Sequence, residues 1–118
     1  MIILANVVVG AIAFLHVYIL VLEMFLWDKP AGLSAFGQTQ EAANASRVLA
    51  ANQGLYNGFL AAGLFWGLWL GPDGTSIKVF FLGCVLIAGL FGAATASRKI
   101  LFVQAVPALV GLVMVLAA

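Results

Sequence analysis

Charged residues are scarce in this sequence. Asp, Glu, Lys and Arg together make up 8% of its 118 residues, whereas ordinary soluble domains are about one-quarter charged. The net charge is only +1 at pH 7, so the chain lacks the basic surface that nucleic-acid binding requires. It also contains no phosphate-binding loop and no Ser–His–Asp order. These absences argue against a nucleic-acid partner and against the commonest nucleotide-binding and hydrolase motifs.

Side chains that bind metals are equally few. Cys84 is the single cysteine and His16 the single histidine, so neither an internal disulfide nor a cysteine-based metal cluster can form. We therefore expect no metal and no resident cofactor. A haem between two subunits, with His16 of each as an axial ligand, is the alternative.

Apolar residues make up 65% of the chain, and the mean hydropathy is +1.20. A soluble core of this size could not bury so much apolar surface, so lipid must be the solvent. The pattern predicts one all-α integral membrane domain over residues 1–118, a four-helix transmembrane bundle with up-down antiparallel order. At least about 70% of the residues should be helical. The predicted spans are about 3–27, 47–70, 77–96 and 100–116.

The first connector is the only long polar one. Asp28-Lys29-Pro30 should end the first helix, because proline disfavours helix at the residue before it. Gly32 and Gly37 should loosen the residues that follow. Thr39 is a candidate N-cap, which predicts either a short interfacial helix or an extended start of the second helix.

The other connectors are short. The run from Gly71 to Gly74 contains Pro72 and predicts a tight turn, and residues 97–99 join the last two spans. Pro107 should kink the fourth helix.

Basic residues predict the orientation. Lys29, Arg47, Arg98 and Lys99 lie in the first and third connectors, against Lys78 alone on the other side. The positive-inside rule therefore predicts a multi-pass protein of the cell membrane with both termini outside. The predicted cytoplasmic connectors are residues 28–46 and 97–99.

Two ionisable residues in the first helix could exchange a proton near neutral pH. His16 and Glu23 are seven residues apart, so they differ by about 20° around the helix and lie about 10 Å apart along one face. An ionisable pair inside a membrane should face the protein interior, so both are candidate catalytic residues. Alternatively, Glu23 is an interfacial residue paired with Lys29 or Arg47, and His16 makes a structural hydrogen bond.

The second helix carries the densest polar stretch of the chain, Asn52-Gln53-Gly54-Leu55-Tyr56-Asn57. Its four polar side chains occupy an arc of about 140° on a helical wheel. Each buried amide without a partner costs a few kcal/mol, so these groups must meet other polar groups or a ligand. The same face continues into Gly63 and Gly67, a spacing that permits close helix packing.

Depth links these side chains to the other helices. Antiparallel helices bring residues at equal depth together, and Gln104 lies at the depth of Glu23. We therefore expect one cavity in the cytoplasmic half, with His16 and Glu23 as the ionisable groups. The predicted ligand-binding residues are Asn52, Gln53, Tyr56, Asn57 and Gln104. Packing between helices through the same hydrogen bonds is the alternative.

These features resemble a known family. A first helix with His16 and Glu23, the polar run from Asn52 to Asn57, and four spans in 118 residues are similar to small bacterial integral membrane proteins catalogued as domain of unknown function 1304. The resemblance extends over nearly the full length. It implies a membrane location but no activity and no catalytic residue.

Three functions fit the polar residues. The first is binding or transport of a small, partly apolar or amphipathic ligand, with proton coupling through His16 and Glu23. The second is an intramembrane enzyme with isomerase-like acid–base chemistry on an apolar substrate, oriented by Asn52 or Tyr56. The third is an accessory subunit of a larger membrane complex. The expected partners are the lipid bilayer and further copies or subunits, because four helices of this length bury little interior and their glycine-rich faces favour close partners.

Overall fold

The computed structural model describes residues 1–118 and is helical throughout, with 88% of residues in helix and no strand. This confirms the all-α class and the expected helix content. A 3-10 turn lies at Gly71–Gly74 and a π-helical segment at Leu101–Ala105. The five α-helices are α1 Ile2–Met24, α2 Pro30–Phe36, α3 Gln40–Trp69, α4 Thr75–Thr95 and α5 Val106–Ala117.

The chain forms two compact units, residues 14–61 and residues 1–13 with 62–118. In the first, α1 ends at Met24, three residues before the predicted end. Lys29 is extended (φ −103°, ψ 165°), as a residue before proline must be. Pro30 then opens α2, because its fixed φ suits the first helical turn, where a missing N–H costs nothing.

Helix α2 corrects the prediction of a loose segment after Pro30. It ends at Gly37, which is left-handed (φ 60°) and donates its N–H to the Leu33 carbonyl, a common glycine C-cap. Gly32 is required inside α2 because a Cβ there would collide with the Leu26 carbonyl. In α2, therefore, Gly32 permits close packing and Gly37 ends the helix. The low helix propensity of glycine predicts neither role.

Helix α3 starts at Gln40, seven residues before the predicted span. The Thr39 hydroxyl accepts a hydrogen bond from the Ala42 N–H at 3.2 Å, which confirms Thr39 as the N-cap. Of the two alternatives predicted for the residues after Thr39, the structure therefore shows the extended start of the second helix. Helix α2 lies earlier in the connector, where no helix was predicted.

In the second unit, α4 packs along α5 and the π-helical segment. A Cβ at Gly89 would lie 2.6 Å from the Ala105 backbone nitrogen, so the two backbones are in close contact. Leu82 lies in the core together with Val85 and Ala108. Pro107 lies just after the π-helical segment. Widening of the preceding turn relieves the clash that a proline ring makes with the carbonyl four residues earlier.

Two helical stretches are long and apolar enough to cross a membrane, Ile2–Met24 and Gly71–Thr95, and a shorter apolar stretch covers Leu101–Ala117. Helix α3 is long enough, with 30 residues, but its middle carries the polar run from Asn52 to Asn57.

Candidate functional site

Glu23 is the buried acidic residue of the unit formed by residues 14–61. It lies in the last turn of α1 with 2% of its surface exposed. Its Oε1 accepts a hydrogen bond from Asn57 Nδ2 of α3 at 2.5 Å. The same Asn57 nitrogen also lies 3.2 Å from the Gln53 carbonyl oxygen, so the amide is held by its own helix while it donates to the carboxyl group.

Two glycines let α1 and α3 approach closely enough for this bond. A Cβ at Gly54 would lie 2.7 Å from Met24 Cγ and 3.0 Å from Glu23 Cβ, and one at Gly58 would lie 2.6 Å from Leu20 Cδ1. Gly54 and Gly58 have the spacing that permits close approach of two membrane helices. This pair faces α1 and was missed in the sequence, where Gly63 and Gly67 were selected instead.

The Gly63–Gly67 pair faces α4. The space above Gly63 is filled by the Phe81 ring, and that above Gly67 by the aliphatic part of Lys78, with Cγ 2.7 Å from a Cβ built at Gly67. Backbone atoms also come close at Gly67, where the same Cβ would lie 3.1 Å from the Lys78 backbone nitrogen and 3.3 Å from the Gly74 carbonyl oxygen. The expected close backbone approach is therefore found at Gly67, whereas Gly63 accommodates an aromatic ring.

His16 is fully buried. It lies seven residues before Glu23 in α1, about two helical turns or about 10 Å away along the same face. Both candidate catalytic residues of α1 therefore point into protein. At this separation they cannot exchange a proton directly, and a transfer would need an intervening group.

The remaining amides do not join the Glu23–Asn57 pair. Asn52 is exposed and donates to the Val48 carbonyl of its own helix at 2.9 Å. Gln53 is exposed, and Tyr56 is also exposed with its ring 6.2 Å from that of Phe59. The expected convergence of these side chains on one cavity with Glu23 is therefore wrong. Whether they bind a ligand stays a prediction.

Gln104 is half-buried in the π-helical segment, in the unit formed by residues 1–13 and 62–118. Its predicted role in ligand binding also stays a prediction. The structure contains no group of three His, Cys, Asp or Glu side chains that could hold a metal ion. Haem ligation by His16 remains an untested alternative.

Glu23 does not pair with a basic residue of the connector, as one alternative proposed. Arg47 Nη1 instead lies 3.8 Å from Asp28 Oδ2. These two residues line an open cleft of 360 Å³ at the end of α1, beside the first exposed turns of α3. The other lining residues are Met24, Phe25, Lys29, Val48 and Ala51.

A second polar pair, of one buried and one half-buried residue, lies in the other unit and was missed in the sequence. Lys78 of α4 is 1% exposed, and its Nζ donates to Asn6 Oδ1 of α1 at 3.0 Å. From the sequence, Lys78 was counted only as a charge near a connector, although apolar residues follow it directly. Asn6 was not singled out, although a lone amide in an apolar helix indicates a polar partner.

The family model described as Protein of unknown function (DUF1304) matches residues 10–116. An uncharacterized protein, YpaA, of Lactococcus lactis subsp. lactis (strain IL1403) is 29% identical over 98 residues, which cover 81% of this chain and 82% of that protein. No solved structure matches the chain.

Proposed function

The chain belongs to the family described as Protein of unknown function (DUF1304), which brings no activity with it, and we propose a function from its own residues. The protein is a four-span integral membrane protein whose Glu23–Asn57 pair binds a small, partly apolar ligand and couples its binding or transport to a proton. The observation that carries this proposal is a carboxyl group with 2% of its surface exposed, bonded to one amide.

Lipid around the helices is supported by the apolar side chains that they leave exposed. Phe14 of α1, Phe59 of α3, Ile87 of α4 and Val113 of α5 are all exposed. Helix α3 is about 45 Å long at about 1.5 Å per residue, which exceeds the roughly 30 Å hydrocarbon core. Its polar start can therefore lie outside the hydrocarbon while the rest crosses as the fourth span.

Burial of Lys78 supports the proposed orientation. Lys78 was the single basic residue counted outside, yet it is 1% exposed and bonds Asn6. The exposed basic residues then all lie in the connectors proposed as cytoplasmic or directly beside them: Lys29, Arg98 and Lys99 within them, and Arg47 one residue after the first. This distribution favours a multi-pass protein of the cell membrane with both termini outside.

The chemistry of the pair indicates how a ligand would bind. A carboxyl group inside a membrane helix is costly, and such residues mark ion or proton pathways. Ionised Glu23 would attract a lipophilic cation, whereas protonated Glu23 would not, so the cation and a proton compete for one site. Asn57 can donate to the carboxyl group in either state, which keeps the side chain oriented during the exchange.

An intramembrane enzyme is the second candidate, because His16 and Glu23 are both buried on one face of α1. A substrate would have to extend over the roughly 10 Å between them for the two to act as acid and base. Binding and transport need only the Glu23–Asn57 pair, so we place them first.

Exposed amides support a homo-oligomer or a larger assembly. Asn52 and Gln53 are exposed on α3, and a polar side chain in contact with lipid costs free energy that a neighbouring polar helix would offset. A second copy of α3 is the simplest partner. A monomeric mass in mild detergent would contradict this part of the proposal.

The test uses tetraphenylphosphonium as a lipophilic cation. Isothermal titration calorimetry of the purified chain, in two buffers with different ionisation enthalpies, measures both the affinity and the protons released. We expect the native chain to release protons on binding, and Glu23→Gln to bind about tenfold or more weakly without release. Glu41→Gln, at an exposed acid of α3, is the matched control. Equal binding by the two variants, or none by the native chain, would contradict the proposal.

A further inference from the structure

The cleft at the end of α1 combines two cations with an apolar wall. Lys29 follows the last turn of α1, and Arg47 lies one helical turn before Ala51 on α3. Asp28 is the acidic residue between them, so the charged lining has one net positive charge. The remaining lining residues, Met24, Phe25, Val48 and Ala51, are apolar.

Arg47 retains donors for an anion. Its guanidinium lies 3.8 Å from the Asp28 carboxylate, beyond hydrogen-bond distance, and 66% of its side chain is exposed. Ion pairs of this kind are weak. A planar guanidinium matches a phosphate group with two parallel hydrogen bonds, and the ammonium of Lys29, which also lines the cleft, can contribute a further charge.

The apolar wall indicates what the anion is attached to. Phe25 is 65% exposed and Val48 of α3 is 70% exposed, and both line the cleft. An inorganic phosphate would make no use of these side chains, whereas the acyl chains of a phospholipid would cover them. Trp27 lies beside the cleft and donates its Nε1–H to the Ser46 hydroxyl, in the interfacial position that tryptophan favours.

We propose that this cleft is a binding site for an anionic phospholipid, with the headgroup phosphate between Lys29 and Arg47 and an acyl chain along Phe25 and Val48. Basic pockets at the cytoplasmic ends of membrane helices bind anionic headgroups in this manner. The inference rests on the proposed membrane location, and it is independent of the ligand proposed for Glu23.

The full-length chain in a neutral detergent provides the test. Phosphatidylglycerol is titrated in mixed micelles, with phosphatidylcholine and inorganic phosphate as separate arms, and binding is measured by native mass spectrometry and by the rise in unfolding temperature. We expect saturable binding of phosphatidylglycerol. In the double variant Lys29→Gln, Arg47→Gln the affinity should fall about thirtyfold, at about fivefold for each basic residue near an anionic headgroup.

Arg98→Gln, Lys99→Gln is the matched control, because it removes the same charge from the exposed connector outside the cleft. It should bind phosphatidylglycerol as the native chain does. Equal loss in both double variants would overturn the proposal, because the response would then depend on total charge. Equal binding of inorganic phosphate, or of phosphatidylcholine, would overturn the assignment to an anionic lipid.

If the double variant fails to fold, a variant that removes a negative charge from the cleft tests the proposal instead. Asp28→Asn removes the carboxylate that competes for Arg47 and should tighten phosphatidylglycerol binding several-fold. An unchanged or weaker affinity would count against the site. Sedimentation of the native chain with cell membranes tests the membrane location separately, so a failure of lipid binding and a failure of that location are distinguishable.

Discussion

The partner of Glu23 is determined by the rotation of α3 about its own axis. Depth along the helices could be estimated from the sequence. Rotation could not be estimated, because it depends on which small residues contact α1. With Gly54 facing α1, Asn57 lies about 60° away on the wheel, whereas Asn52 and Tyr56 lie about 160° away on the opposite face.

This difference between the two asparagines leads to a prediction. Asn57→Ala removes the hydrogen bond to the buried Glu23 and leaves the carboxyl group without its donor, so the free energy of unfolding should fall by about 1 kcal/mol. Asn52→Ala is the matched control, since its side chain is exposed and bonds its own helix. Unfolding by sodium dodecyl sulfate in mixed micelles, followed by circular dichroism, measures both. Equal losses would show that the Glu23–Asn57 bond contributes nothing to stability.

Among the helices, the types and approximate ends of α1, α3 and α4 were predictable from apolar runs and turn residues. Helix α2 was not, because its glycines and proline suggest a loop, and only contact with the end of α1 shows why they suit a helix. The groups that lie opposite each glycine could not be predicted from the sequence either. Spacing predicted close packing at Gly63 and Gly67, but it could not show that the Phe81 ring lies opposite Gly63 whereas both backbone and side chain of Lys78 lie opposite Gly67.

Two glycines of α4 test whether the atoms opposite a glycine determine the effect of replacing it. Gly89→Ala would place a Cβ 2.6 Å from the Ala105 backbone nitrogen, whereas a Cβ at Gly83 meets nothing within 4 Å. We expect Gly89→Ala to reduce the free energy of unfolding by about 1–3 kcal/mol, the usual cost of overpacking. Gly83→Ala should be neutral or stabilising by up to about 1 kcal/mol, because alanine is the better helix former.

The same detergent-unfolding measurement compares the two variants, and their shared helix makes each the control of the other. If Gly83→Ala reduced the free energy of unfolding as much as Gly89→Ala does, the face of α4 around Gly83 would have to be covered by a partner that the isolated chain does not contain.

For the whole molecule, composition was sufficient to predict an all-helical chain with exposed apolar side chains. It was insufficient to predict that a charged side chain would be buried. Charges were counted as surface groups in predicting the orientation, and Lys78 was one of them. Its burial beside Asn6 depends on contacts between segments distant in the chain, which no local pattern encodes.

The proposed orientation is checked by cysteine labelling in intact cells. With Cys84 replaced by alanine, a cysteine at Ala118 should react with a membrane-impermeant maleimide, because the C-terminus is proposed to lie outside. A cysteine at Ser97, in the connector that carries Arg98 and Lys99, should react only after the cells are permeabilised. Both positions are exposed in the structure, so burial would not explain a missing reaction. The reverse pattern would invert the proposed topology.

The bond between Asn6 and Lys78 has a consequence for biosynthesis. The two residues are 72 positions apart, so in the proposed membrane protein α1 would be translated and inserted before α4. A lysine costs up to about 3 kcal/mol when its helix is inserted alone, and an amide oxygen already in place would offset part of that cost. The order of translation would thus place the acceptor ahead of the charge, and we expect the first helix to be made to assist the insertion of α4.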